Sequence, residues 1–407
     1  MPVIKEIKYF NCFIIKDDQE RFHVEESRIK GGFNNKSVDY GVRAHIKDEF
    51  YKPEIRANTL IYSGIYNSST GVNNTNQFPI DQPITLSVDI QQGGIYKLFA
   101  EDQQLNIFQE EKVRYIKIDK DVIYTAEGVP LSTTSNVFLG DVQAYGTNYG
   151  IGKNPESFAY YAGRKYFVDK PKGAVLRLSR DGITEISNYG MRSYFRDTLS
   201  SSNNVYGMWD MYNKDYVVSI NKGSDQNSVT LSFDESTNGW TSFYSYIPEF
   251  GGSIDAKFYT FKDGALYEHY SSNTHNNFYG TQYDSNITLI FNQNPSASKN
   301  FITINYEGTD TWNIDTIETD SDVALDISEY SNLIDTDDYF YISKFDKVDN
   351  KYVSNIINNT EVKQGEISFK ESITGVKGFY MKLKANTNAS TYKELFSIST
   401  NYNINSY

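Results

Sequence analysis

The chain has 407 residues, a formal net charge of −13 and a pI near 4.9, which argues against the concentrated basic face that sequence-specific nucleic-acid binding requires. Its 34 Tyr and 25 Phe, set among many Asn, Ser, Thr and Gly, suit strands and wet surfaces and point to an all-β protein with many loops, not to a disordered chain. Cys12 is the only cysteine, so no internal disulfide can form; no apolar run approaches a membrane span, and Met1–Asp17 lacks the features of a signal peptide.

Residues 1–55 open with an alternating strand at Ile4–Phe10 that runs on through Phe13–Ile15, and extended character resumes from Val38 to Ile46. This stretch reads as an arm or partial sheet, too small to fold alone. From Arg56 a pattern recurs. Leu60–Tyr66 is a strand before an Asn-rich loop; Ile95–Phe99, Gln104–Phe108 and Val113–Ile118 are three strands joined by turns.

The most legible stretch is Arg164–Tyr189, RKYFVDKPKGAVLRLSRDGITEISNY. Apolar and polar residues alternate, with breaks at Asp169–Gly173 and Arg180–Gly182, which predicts three short strands in a meander. An Asp-Gly pair between two such alternations needs positive φ, which glycine supplies without steric cost. A third unit spans Val205–Trp209, Asp215–Ser219, Ser228–Phe233 and Trp240–Tyr244. A fourth is read from Ala256–Phe261, the turn at Lys262–Gly264, Ala265–His269 and Ile287–Phe291.

Leu105, Tyr166, Tyr216 and Leu266 fall at equivalent places in these units, about 61, 50 and 50 residues apart, within the range of propeller blades. A lone meander cannot bury both faces, so radial stacking is the economical arrangement. Residues 56–292 are therefore read as a propeller-like domain. From 293 to 407 the rhythm changes to strands at short intervals, starting with Phe301–Tyr306 and ending with Leu395–Ile398, and predicts a β-sandwich-like C-terminal domain.

Candidate chemistry is sparse. Gly146–Asn154 mimics a phosphate loop, but its spacing is off by one residue and Asn154 stands where a Mg²⁺-binding hydroxyl belongs, so it reads as a glycine-rich connection. His23, His45, His269 and His275 lack partners at zinc spacing, and the Asp residues from Asp315 to Asp338 lack the Gly and Glu of an EF-hand loop. Ser232–Thr241 is like an Asp-box turn with extra residues before Gly239, and such a turn is a structural hairpin. The sequons at Asn67, Asn73, Asn286, Asn358 and Asn388 are expected by chance in so Asn-rich a chain. The basic group Arg164, Lys165, Lys170, Lys172, Arg177 and Arg180 reads as a solvated edge, with a phosphate or subunit contact as the alternative. No catalytic, cofactor-binding or metal-binding residue is assigned.

Several segments together resemble the tail nozzle proteins of short-tailed phages, most closely the muzzle or stabilisation proteins of crAss-like phages. They are RANTLIYSGIYNSSTGVNNTNQF, GGIYKLFAEDQQLNIFQEEKV, IDKDVIYTAEG, the long run GIGKNPESFAYYAGRKYFVDKPKGAVLRLSRDGITEISNYGMRSYF, and downstream FDESTNGWTSFYSYIPE, KNFITINYEG and KELFSISTNY. The resemblance covers about Arg56 to Tyr407. It implies a structural virion protein, not an enzyme, in a homohexameric ring at the distal end of the tail. DNA and ejected proteins would pass through the ring without specific binding, with portal or ring proteins and tail fibres as neighbours. It also implies a large N-terminal platform, where only about 55 residues stand here, so the chain is read as a fragment, a shortened variant, or one partnered by a second chain. A receptor-binding adhesin and a propeller glycosidase are the rival readings. In the conduit reading, much of the negative charge, above all Asp315–Asp338, is expected to face the lumen.

Overall fold

The alternation in the central stretch becomes a four-stranded antiparallel meander. Strand pairs and turns of this kind recur along the chain, which the computed structural model describes at residues 12–16, 22–26, 55–64, 66–67, 71–78, 84–101, 104–118, 123–124, 130–131, 139–224, 227–320, 324–326, 340–342, 345–358 and 373–404. The predicted strand at Ile4–Phe10 and the extended stretch at Val38–Ile46 lie outside the described residues. The chain divides into two compact units, Met1–Lys257 and Phe258–Tyr407.

In the first unit, β1 (Cys12–Lys16) pairs with β2 (Phe22–Glu26), and β3 (Thr59–Ile61) pairs with β4 (Thr85–Ser87). The first meander is β5 (Ile95–Glu101), β6 (Gln104–Gln109), β7 (Val113–Ile118) and β8 (Leu139–Ala144). The second is β9 (Ala159–Tyr161), β10 (Arg164–Asp169), β11 (Ala174–Ser179) and β12 (Gly182–Glu185). A helix, α1 (Arg192–Ser200), follows, and then the third meander: β13 (Asn204–Asp210), β14 (Asp215–Asn221), β15 (Val229–Asp234) and β16 (Gly239–Tyr244).

Strand period explains how the three meanders stack. Tyr166, Val168 and Val175 point to one face of the middle sheet and share a core with Val205, Trp209, Tyr216, Val218 and Leu231 of the third meander. Phe167, Ala174, Leu176 and Leu178 point to the other face and share a core with Phe108 and Val113 of the first. The first meander in turn uses Ile107 and Ile116 to cover Leu60, Leu86 and Val88 near β3 and β4. Each sheet therefore has apolar side chains on both faces, which is why the strands read as near-continuous apolar runs. Between the second and third meanders, Tyr161, Trp209, Tyr166 and Tyr216 form a stacked column with ring centroids 4.4, 5.5 and 4.8 Å apart.

Two features departed from the all-strand reading. The helix α1 was not foreseen: Phe195 and Leu199, one turn apart, seal the second core from outside the sheets. The fourth strand of the first meander, β8, follows β7 only after a long connection. Leu105, Tyr166 and Tyr216 do occupy second strands of three successive meanders, each in its own sheet.

In the second unit, β17 (Lys257–Lys262) and β18 (Ala265–Glu268) form a hairpin carrying Leu266. The segment assigned to close that repeat, Ile287–Phe291, does not join it. It lies in β19 (Ser285–Phe291), which pairs with β26 (Met381–Thr387). One sheet runs β19, β26, β21 (Asn313–Thr319) and β22 (Ala324–Asp326). The other is built on β20 (Lys299–Gly308), flanked by β24 (Lys351–Asn358), β25 (Val376–Gly378) and β27 (Leu395–Ile404), with β23 (Phe340–Ile342) beyond β24. Phe301 and Ile304 of one sheet meet Ile314, Ile317, Met381, Leu383 and Ala385 of the other in a common core.

The two Asp-Gly turns differ. At Asp263-Gly264 both residues have positive φ, 50° and 74°, as the two-residue primed turn demands. At Asp181-Gly182 only the glycine does, at 104°, so the turn residues are Arg180 and Asp181 and the glycine relieves the strand that follows. A Cβ at Gly182 would touch nothing within 4 Å, so only backbone strain opposes a larger residue. Gly182→Val should therefore lower the stability of the first unit by about 1–3 kcal/mol, read as a fall in melting temperature. An unchanged melting curve would show that the turn tolerates a side chain.

Candidate functional site

The polar side chains of the middle meander reach toward its neighbours. Lys165 on β10 is buried and ion-paired with Glu101 of the first meander, whose carboxylate also accepts from Tyr160 at 3.3 Å. On the opposite face Glu235, just past β15, accepts the Tyr166 hydroxyl and an Arg177 N–H, each at 2.8 Å, with Arg164 3.7 Å away. Burial, then the Glu235 carboxylate, raises the Tyr166 phenol, so it stays protonated and donates.

Lys170 and Lys172 are also engaged within the chain. Lys170 donates to the Ser202 carbonyl at 2.5 Å, and Lys172 to the Asn148 carbonyl and to Asp169, the latter at 3.5 Å. Arg177 further approaches Asp181 at 3.7 Å. Five of the six cations thus tie the middle meander to what surrounds it.

The glycine-rich connection is likewise occupied. Gly150 N–H donates to Asp169 Oδ2 at 3.0 Å, Ile151 N–H to the Gln109 carbonyl at 3.0 Å and Gly152 N–H to the Glu110 carbonyl at 2.9 Å. A Cβ at Gly150 would lie 2.2 Å from the Glu110 carbonyl oxygen, so the glycine is there for close approach of two backbones. These amides clamp the first meander to the second.

Three aspartates stand side by side at one end of the third meander. Asp215 is opposite Asp210 on β13 and opposite Asp234 on β15. Asp210 caps the turn by accepting from Tyr212 N–H at 2.9 Å and Asn213 Nδ2 at 3.1 Å, and Asp234 accepts from the Ser236 amide and hydroxyl at 2.7 Å each. The latter bonds hold the Asp234 carboxyl below its usual range. Asp215 is buried, and that burial, with the Asp234 charge beside it, pushes its carboxyl up to about 6.

The sign of the consequence follows. A folded-state value above the unfolded one means the folded chain binds the proton more tightly, so this residue stabilises as pH falls from about 6 toward 4 and destabilises above 6. Asp215→Asn should accordingly raise stability at pH 7.5 by about 1–3 kcal/mol, and the gain should vanish near pH 4. Melting curves across that range check it.

The Asp-box-like segment is the β15–β16 hairpin. Ser232 and Thr241 hydroxyls meet at 3.0 Å across it, and Trp240 packs on Phe195 and donates to the Ile186 carbonyl at 3.1 Å. In the second unit His269 lies among Phe258, Tyr270, Phe278 and Tyr279, with Nε2 2.7 Å from Thr260 Oγ1; burial lowers it to about 4, which keeps it neutral. His275 meets Tyr392 edge to face, ring centroids 5.6 Å apart. Asp315 pairs with Lys384 at 3.2 Å and Asp320 accepts the Phe379 amide at 2.6 Å; Asp322, Asp335, Asp337 and Asp338 lie outside the described residues. Among the described residues no group of three His, Cys, Asp or Glu side chains is placed to hold a metal.

Lys299 was not singled out in the sequence. It is fully buried, and its ammonium donates to the carbonyls of Asn294 and Ala297 at 3.0 Å each and to that of Phe379. No pattern in the local sequence marks it, because its acceptors are backbone atoms, one from the bend that follows Val376–Gly378.

A sequence profile described as Crassvirus muzzle protein matches residues 78–264, a span that holds all three meanders, and a second, described as Crassvirus muzzle protein C-terminal domain, matches residues 273–359. The chain belongs to the crassvirus muzzle protein family. That is a family of phage structural proteins. The muzzle protein of Bacteroides phage crAss001 is 25% identical over 243 residues, which is 57% of this chain and 17% of that relative's length. Two solved structures of an exo-β-1,3-galactanase from Phanerochaete chrysosporium share 8% identity with 84% of this chain and 100% of theirs, at TM-scores of 0.18 and 0.17. A likeness that low carries no argument.

Proposed function

We propose that this chain is a structural component of a phage virion tail and forms part of a distal nozzle ring, six copies around a lumen through which DNA and ejected proteins pass. The observation that carries the reading is the muzzle family match, which spans the three meanders. Their arrangement supports it: each sheet is sealed to the next by a core, ion clusters and backbone clamps, a construction suited to a wall. In this reading the meanders are blades of a propeller-like domain over residues 56–292, and residues 293–407 form the sandwich-like domain that closes the chain. Portal or ring proteins and tail fibres adjoin it. The part of a full-length muzzle protein that this chain does not span supplies the platform.

The negative charge would serve the same end. A wall that passes DNA must not neutralise phosphates, and −13 per copy repeated around a ring repels them over about 8 Å at physiological salt. Asp315 and Asp320 are already partnered within the chain, so the unpartnered share of that field would come from other carboxylates.

The test is the symmetry of the assembled particle, by electron microscopy and native mass. A closed ring with this chain in its wall is the expected result. A trimer with an elongated tip would favour the receptor-binding alternative, and glycan hydrolysis abolished by one carboxylate substitution would favour the glycosidase.

A further inference from the structure

The strand β27 is ten residues long and, among the described residues, pairs with β20 alone. Half the backbone donors and acceptors of such a strand point away from its one partner, which leaves an unpaired row. Soluble proteins usually blunt such an edge with charge or proline. Leu395–Ile404, LFSISTNYNI, has neither.

Its core-side row is Leu395, Ile398, Thr400, Tyr402 and Ile404, with Phe396 an extra residue that bulges from the ladder between Glu307 and Gly308 of β20. The middle three line a cavity of about 150 Å³ together with Phe291 and Phe301. Two apolar side chains of the strand stand outside the core: Phe396 is 72% exposed and Ile404 56%. Outward from Thr400 the strand is alike in both directions. Ser399 matches Asn401, Ile398 matches Tyr402 and Ser397 matches Asn403, all within the regular part of the strand. An antiparallel pair about a two-fold axis sets such positions opposite each other, so this pattern is complementary to itself.

We propose that β27 pairs edge to edge with β27 of a second copy of this chain, antiparallel, across a two-fold axis at Thr400. Ile398 then lies against Tyr402 of the second copy on both sides of the axis, over the cavity that these side chains line. The opposite face carries only Ser and Asn, so no charge is brought to the axis. A ring whose copies all point one way contains no such axis. The contact therefore joins free copies, or one ring to another, and does not rest on the nozzle reading.

The test is sedimentation of the full chain at up to about 100 μM. Ser399 and Asn401 are exposed in the single chain; Ser399 borders the cavity, but both double variants carry the same Ser399→Lys, so any effect on packing there is common to the two. In Ser399→Lys/Asn401→Lys like charges meet twice across the axis, and the dissociation constant should rise at least tenfold. In Ser399→Lys/Asn401→Glu opposite charges meet twice, and association should return to within a few-fold of the unsubstituted chain. A chain that stays monomeric throughout would overturn the proposal. So would an association that both double variants leave unchanged or weaken equally, because only the two-fold register makes the second substitution pair attractive.

Discussion

Gly207→Ala is expected to destabilise the first unit by about 3 kcal/mol or more, since among the described glycines an added methyl group meets the closest obstacle here. Gly207 sits in the middle of β13, opposite Val218, with no unusual backbone angle to require glycine. What requires it is the turn at Pro155–Ser157 that leads into the second meander. A Cβ at 207 would lie 1.8 Å from the Ser157 carbonyl oxygen and 2.8 Å from the Tyr216 hydroxyl. The obstacle is backbone, which cannot rotate aside. That same carbonyl accepts the Tyr216 hydroxyl at 2.8 Å, and Ser157 Oγ accepts the Val168 amide at 3.1 Å, so moving it breaks the seam between the second and third meanders. A shift of about 6–12 °C in melting temperature follows for a unit of this size. Tyr216→Phe, which removes one hydrogen bond and no volume, should cost about 1–1.5 kcal/mol and separates the polar part of the effect. A Gly207→Ala protein that melts like the unsubstituted one would mean that the two sheets do not approach as described.

The second large effect is at Glu235. Its carboxylate is mostly shielded and takes hydrogen bonds from Tyr166 and Arg177 on adjacent strands of the neighbouring sheet. Glu235→Ala should destabilise by about 2–4 kcal/mol, because it strands a shielded guanidinium and a buried phenol together. Arg177 keeps only Asp181, which is itself largely exposed, and Thr184 at 3.5 Å. Glu235→Gln keeps the volume and one acceptor oxygen but sets its amide N–H₂ against the other donor, so it should recover only part of the loss. A double-substitution cycle between Glu235→Ala and Arg177→Met measures the coupling, and a coupling near zero would show that the pair is incidental to the seam.

The limits of reading such a chain are visible in particular residues. The turn at Arg180–Gly182 was legible because its signal is local: a glycine with positive φ between two alternating strands. Lys299 and Gly207 were not, because what makes them necessary lies elsewhere in the sequence, a carbonyl at position 379 for one and at position 157 for the other. The repeat misled where it ended. Ile287–Phe291 has the same alternation as any blade strand, and nothing within it says that its partner is Met381–Thr387, about a hundred residues on. Period 2 fixes which residues share a face and leaves open which strand lies alongside.

The same division runs through the chemistry. The Asp, Glu, Lys and Arg residues are plain in the sequence, and so is the excess of acid over base. Their roles depended on stacking: Lys165 and Arg177 sit on opposite faces of one sheet, and each found its carboxylate only because a different meander packs there. The sequence by itself determined the all-β composition, the turn positions, the alternation that gives each sheet two apolar faces, and the resemblance to the muzzle family. Tertiary structure decided which sheets share a core, which cations are neutralised, where a glycine is compulsory and that β27 is left with an open edge. Turns and faces are set by interactions among near neighbours in the chain, whereas sheet order and ion pairing are settled by contacts across long loops, whose closure no local pattern encodes.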